Sequence, residues 1–149
     1  MTREQKDLLI KDLCGRLTHG VKCKILETNQ VKILGSIQYD GENTLFDFWE
    51  DDQKIQYGHQ LYLSEFKPYL LPLSSMTDEL WDKEFMGCGI TEFTRDSFKY
   101  GCETLEFNNS NPDLSSMVRF INQLIKNHFD IYGLIPMGLA IDATGLNIY

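Results

Sequence analysis

The apolar positions of this 149-residue chain change period twice. In the first segment Leu9, Leu13 and Leu17 recur at helical spacing, with Ile10 and Cys14 beside them. Lys6, Asp7, Lys11, Asp12 and Arg16 fill the remaining positions. Thr2, followed three residues later by Gln5, has the form of a capping box. Together these signals predict an amphipathic helix near residues 3–18 that ends by Gly20.

From Val21 the period falls to two. Val21, Cys23 and Ile25 alternate with lysines, and Val31, Ile33, Ile37 and Tyr39 alternate with polar residues. Asp40-Gly41 is a hairpin turn signal, and Thr44 to Trp49 reads as a central strand because it is apolar on both faces. A fourth strand is expected near Lys54 to Tyr57 and a fifth over Leu61 to Phe66, giving an antiparallel meander within residues 21–66. Pro68 and Pro72 then argue for an extended crossover, since proline disrupts central strand pairing. Thr77 is placed to cap a short helix with Asp78 and Glu79 in its first turn, and Leu80, Trp81 and Phe85 are its inward candidates. Residues 90–107 keep no clean period and read as one or two short strands, and Asn108 to Pro112 as a loop.

The helical period returns after that loop. Leu114, Met117, Val118, Ile121, Leu124, Ile125 and His128 share one stripe, which predicts a long helix near residues 112–127. Its stripe is expected to be buried against the sheet. The apolar, glycine-punctuated tail from Phe129 to Tyr149 should pack on the body. The fold class is therefore α+β: an antiparallel β-meander of about four or five strands, packed by an N-terminal helix and a long C-terminal helix. One domain spanning residues 1–149 is expected.

An apolar content of 42% is that of a globular chain rather than a disordered one. No apolar run reaches the length that spans a bilayer, and the charge-studded first segment has no signal-peptide core, so a cytoplasmic protein without membrane contact is expected. Cys14, Cys23, Cys88 and Cys102 then read as reduced thiols, most of them small core residues. The net charge of −8 is uneven. Residues 1–26 hold six basic and three acidic side chains, residues 27–84 four and twelve, and residues 85–149 four and seven. An acidic surface disfavours nucleic acid as a partner.

Candidate chemistry is sparse. His19, His59 and His128 lack zinc-ligand spacing with one another or with the cysteines, so no metal and no cofactor is expected. His128 stands two residues before Asp130, but the end of a helix stripe suits a core or helix-end histidine better than a catalytic dyad. Cys88, between Gly87 and Gly89, lies past a helix C-terminus, where the dipole opposes a thiolate. The carboxylates Glu42, Asp47, Glu50, Asp51 and Asp52 lack the spacing of a calcium loop. No residue is assigned a catalytic role. The aromatic and acidic hairpin instead supplies the binding candidates Trp49, Asp51, Asp52 and Tyr57, aromatics for contact area and carboxylates to steer a basic partner.

Three stretches carry a resemblance. They are Lys67-Pro68-Tyr69-Leu70 continuing into Pro72-Leu73-Ser74-Ser75-Met76-Thr77, His128 to Ile135 with Gly138-Leu139-Ala140, and Lys11-Asp12-Leu13-Cys14 with Gly20-Val21-Lys22. In these the chain resembles a group of small uncharacterised proteins encoded in phages, prophages and mobile elements of gut Bacteroidetes. The resemblance implies a phage or mobile-element setting and no catalytic residues. The expected function is that of a non-catalytic interaction or accessory protein with a protein partner. The alternative is a small hydrolase-type enzyme using His59 or His128 with Cys88 or a carboxylate.

Overall fold

The computed structural model describes residues 1–50, 53–56, 60–88, 91–100 and 114–149. They form two compact units, one of Met1–Leu70 with Tyr132–Tyr149, the other of Leu71–Ile131. The class is α+β, as the changes of period predict.

The first unit opens with helix α1 (Arg3–Arg16), and its capping box is complete: Gln5 N donates to Thr2 Oγ1 at 3.2 Å, and Thr2 N to Gln5 Oε1 at 2.9 Å. A 3-10 turn (Leu17–His19) leads to Gly20, whose φ of 67° is the left-handed conformation that stops helices. Strands β1 (Lys22–Ile25), β2 (Val31–Tyr39), β3 (Thr44–Glu50) and β4 (Gln53–Gln56) then form the antiparallel meander. Strand β5 (Phe66–Leu70) returns antiparallel to β1, and the short β6 (Ile141–Asp142) joins β5 in parallel. The order across the sheet is β4-β3-β2-β1-β5-β6.

The fifth strand does not run over Leu61 to Phe66 as the pattern suggests. Leu61 makes only an isolated bridge to Phe46, and the strand begins at Phe66 and includes Pro68. Antiparallel alternation explains why the proline is tolerated. Leu26 N donates to Glu65 O at 2.9 Å, so ladder bonds fall at alternate pairs from there, while Pro68 opposite Cys23 occupies an intervening, non-bonded position. Its missing N–H faces away from β1, and on that side β6 begins only opposite Tyr69.

The core of this unit takes Leu9 and Leu13 from α1 and Cys23, Ile25, Leu34, Phe46, Phe48 and Phe66 from the strands. Phe66 meets Phe46 and Phe48 edge-on, with centroids 5.0 and 4.8 Å apart. The tail adds Leu134, Leu139 and Ala140, so it packs on the body as expected.

Among its described residues the second unit holds three α-helices: α2 (Asp78–Glu84), α3 (Glu92–Lys99) and α4 (Leu114–Lys126). Thr77 caps α2, its Oγ1 accepting from Leu80 N at 3.2 Å. Helix α3 replaces the short strands expected over residues 90–107. Among its described side chains Thr94, Ser97 and Phe98 are buried, with Ser97 Oγ donating to Thr94 O at 3.0 Å. Buried residues of that kind leave little hydrophobic period to read. Trp81, Phe85, Phe98, Phe120, Leu124 and Phe129 make the core of the unit. Arg95 reaches Asp78 at 3.4 Å, Lys126 reaches Glu84 at 2.9 Å, and Arg119 donates to Gly87 O at 3.1 Å, fastening α3 and α4 around α2 and the turn after it.

Candidate functional site

The described residues with catalytic potential stand at the end of the 3-10 turn, on α1, on the turn after α2 and at the close of α4. His19 is exposed at the end of the 3-10 turn, and Cys14, expected in the core, faces solvent from α1. Cys14 sits one position round from the Leu9–Leu13 stripe, and that rotation carries it out of the core. Cys88 is buried, and burial pushes its thiol above the ordinary range, with Arg119 offsetting part of the rise. A buried thiol held protonated is a poor nucleophile. His128 is buried at the close of α4 with φ 61°, and its carbonyl accepts from Leu71 N at 2.9 Å. Such a position is that of a helix-end histidine, the reading its place in the stripe favours. His59 lies outside the described residues, as do Asp51, Asp52 and Tyr57 of the binding set. Among the described residues no group of three or more His, Cys, Asp or Glu side chains is placed to hold a metal ion, and no helix is long and apolar enough to cross a membrane.

Trp49, the remaining binding candidate, is half buried on β3. Its indole lies against Gly35, where a β-bulge interrupts the β2–β3 register between Leu34 and Ser36. A side chain at Gly35 would collide with the ring, so the glycine is required for this packing. Asp47, two residues earlier, is buried and accepts from Ser36 Oγ and, at 2.8 Å, from Gln38 Nε2. Those bonds satisfy the buried Asp47 carboxylate.

Two side chains counted as solvent-facing in α1 are buried. Arg16 Nε and Nη2 each donate to Asp12 at 2.7 Å, a bidentate pair with side-chain exposures of 0% and 1%. A buried guanidinium needs such a partner, because desolvating an unpaired charge costs several kcal/mol. Close to this pair, the hydroxyl of Tyr149 accepts from Lys22 N at 3.1 Å and donates to Tyr69 O at 2.7 Å. It spans the position where the β1–β5 ladder would otherwise close with a direct bond. Burial raises the phenol well above its usual range, and burial, then Asp12, raises the Cys23 thiol likewise. All of these groups are held in their protonated or paired forms, which makes the cluster a structural brace.

Two clefts indent the first unit. One of about 160 Å³ is lined by Ile25, Glu27, Thr28, Gln30, Lys32, Phe48 and Leu61. The other, of about 180 Å³, lies between the start of α1 and residues 43–44 and 62–64. Among the described residues neither is lined by a histidine or a cysteine, and both are small for a ligand pocket.

The surface that departs most from expectation is α4. Of the stripe Leu114, Met117, Val118, Ile121, Leu124 and Ile125, only Leu124 is buried and Ile125 half buried. Leu114, Met117, Val118 and Ile121 are 76, 40, 49 and 37% exposed. The helix instead points Phe120 and Leu124 into the aromatic core. At 100° per residue, that inward direction lies roughly 100° around the axis from the centre of the stripe. Phe120 sits at the centre of that core, where it meets Trp81 and Phe85 edge-on and stacks on Phe98. What remains is an apolar ridge at i, i+3, i+4 and i+7 along the outside of a helix held at Arg119 and Lys126. The signal for it was present in the sequence as the stripe, but not its direction.

No protein family, no curated protein and no solved structure matches this chain.

Proposed function

We propose that this chain is a non-catalytic protein-binding module that engages its partner through the apolar outer face of α4. The observation that carries the reading is the exposure of Leu114, Met117, Val118 and Ile121 at helical spacing. An apolar ridge on a braced helix is a typical determinant of protein contact, because its area can be removed from water without ordering a flexible segment. Its free thiols Cys14, Cys23 and Cys88 suit a reducing compartment, so a cytoplasmic partner is part of the proposal. A phage or mobile-element setting rests on the family resemblance alone.

The test is a paired capture. Full-length chain and its Val118→Glu/Ile121→Glu variant are used as baits in the native host, with crosslinks mapped by mass spectrometry. Expected are proteins crosslinked to α4 in the parent and lost from the variant, while the urea midpoint of the variant stays that of the parent. Identical retention by both baits would remove α4 from the interface. Turnover of an ester or amide that disappears with Cys88→Ala or His128→Ala would overturn the binding reading itself.

A further inference from the structure

The sheet of the first unit has an outer face whose charge is unbalanced. Strand alternation turns Cys23 and Ile25 into the core and leaves Lys22 and Lys24 on the opposite side of β1. On β5 the same rule buries Phe66 and Pro68 and turns Lys67 outward. Lys24 is paired directly with Lys67 on one side and with Val31 of β2 on the other. Like charges placed opposite each other across strands repel and destabilise the pair. Both lysines are half buried, and among the described residues no ion pair involves either of them. Lys22 stands two residues along β1, roughly 6.6 Å away, and is paired with Ile33.

Two opposed ammonium groups with no carboxylate between them, and a third one strand repeat away, form a receptor for a chain of negative charges. The spacing from Lys22 to Lys24 equals the repeat of same-side side chains in an extended peptide. Beside the lysines lie Val31, which is 44% exposed, and the half-buried Ile33. Aliphatic side chains accept apolar partners, and the aromatic of this face, Trp49 opposite Ile33, has its indole packed against Gly35. Three cations also neutralise few phosphates, and the net charge of −8 opposes a polyanion as long as nucleic acid. We propose that this face binds an extended acidic segment of a protein partner, its carboxylates on Lys22, Lys24 and Lys67 and its apolar side chains on Val31 and Ile33. This face belongs to the first unit, the α4 ridge to the second.

The probe is a fluorescent peptide of alternating glutamate and valine, with a glutamine–valine peptide and a single-stranded oligothymidine as comparisons. Anisotropy is measured on the full chain at low and moderate salt. Expected is binding of the glutamate peptide at least about tenfold tighter than of its glutamine counterpart, weakening as salt is added. Lys24→Gln/Lys67→Gln should lose about tenfold or more in affinity, while Lys83→Gln and Val118→Glu/Ile121→Glu bind as the parent does. The unliganded lysine double variant should also melt about 1–3 °C above the parent, because the like-charge pair is gone. Equal binding of the two peptides, or an unaltered affinity in the double variant, overturns the proposal. Tighter binding of the oligothymidine would replace it with a nucleic-acid site. Self-association of the parent that vanishes in the double variant, without peptide binding, would replace the partner with a second copy of the chain.

Discussion

The two units bury their apolar residues by different rules. In the first, strand alternation divides every residue between core and outer face, and the α1 stripe of Leu9 and Leu13 meets a sheet whose inward side is settled by period. In the second, three helices each contribute one or a few side chains to an aromatic cluster. The ring centroids of Trp81, Phe85, Phe98, Phe120 and Phe129 lie 5.5 to 6.4 Å apart in stacked and edge-on contacts. There the buried face is chosen by the few largest rings rather than by the count of apolar positions. A period of two leaves a strand only two orientations, whereas a helix rich in apolar residues has several, and shape complementarity selects among them.

That comparison is most sharply broken at the two cores. Phe120→Ala should destabilise by about 3–5 kcal/mol through lost transfer and the cavity left behind. Asp12→Ala should cost about as much, about 3–5 kcal/mol, because it removes the bidentate carboxylate partner of an Arg16 guanidinium at 0% exposure. Urea denaturation checks both. A companion variant, Asp12→Leu/Arg16→Met, separates charge from volume: it should recover most of the loss, since an apolar pair of similar size is commonly neutral or better in such a site. If Asp12→Ala alone left the midpoint unchanged, the pair would be solvated and the brace described for α1 would fail.

How far each unit could be read from its sequence follows from the same difference. The capping box at Thr2, the alternation from Val21 and the turn at Asp40-Gly41 are local signals, and α1 with β1 to β4 stands where they place it. Burial of Asp12 and Arg16 was not legible, although their i, i+4 spacing marked an ion pair. Whether such a pair lies in water depends on residues distant in the chain, Tyr149 among them. Helix α3 is hard to read because Thr94 and Ser97 are buried in it beside Phe98. Of the hairpin binding set, Trp49 rests on Gly35, and the other three residues lie outside the described chain. The candidate site on α4 is visible in the sequence as a stripe, but its direction is not, because that depends on the contacts of Phe120 with Trp81, Phe85 and Phe98.

A smaller effect tests the join between the tail and the sheet. Tyr149→Phe removes the hydroxyl that serves both Lys22 N and Tyr69 O, and leaves the ring in place. The expected cost is about 1–2 kcal/mol, since two backbone groups lose a shared partner at a site only partly open to water. Amide hydrogen exchange at Lys22 gives a direct local readout and should quicken in the variant. Unchanged protection there would mean that β1 and β5 close their ladder without the tyrosine.

The smallest effect is expected where the apolar pattern is strongest. Met117→Gln/Val118→Gln on α4 should move the urea midpoint by no more than the equivalent of about 0.5 kcal/mol, as for substitutions at other exposed sites. Ile121→Ala should likewise fall far short of the roughly 2–5 kcal/mol that a buried isoleucine costs. Set beside Phe120→Ala one residue away, this contrast measures the rotation of the helix directly. Equal losses at positions 120 and 121 would mean that the stripe is buried in solution and that the ridge is not a surface at all. A large loss at 120 with none at 117, 118 and 121 would leave a helix whose apolar ridge contributes nothing to the fold of its own chain, as expected of a surface kept for a partner.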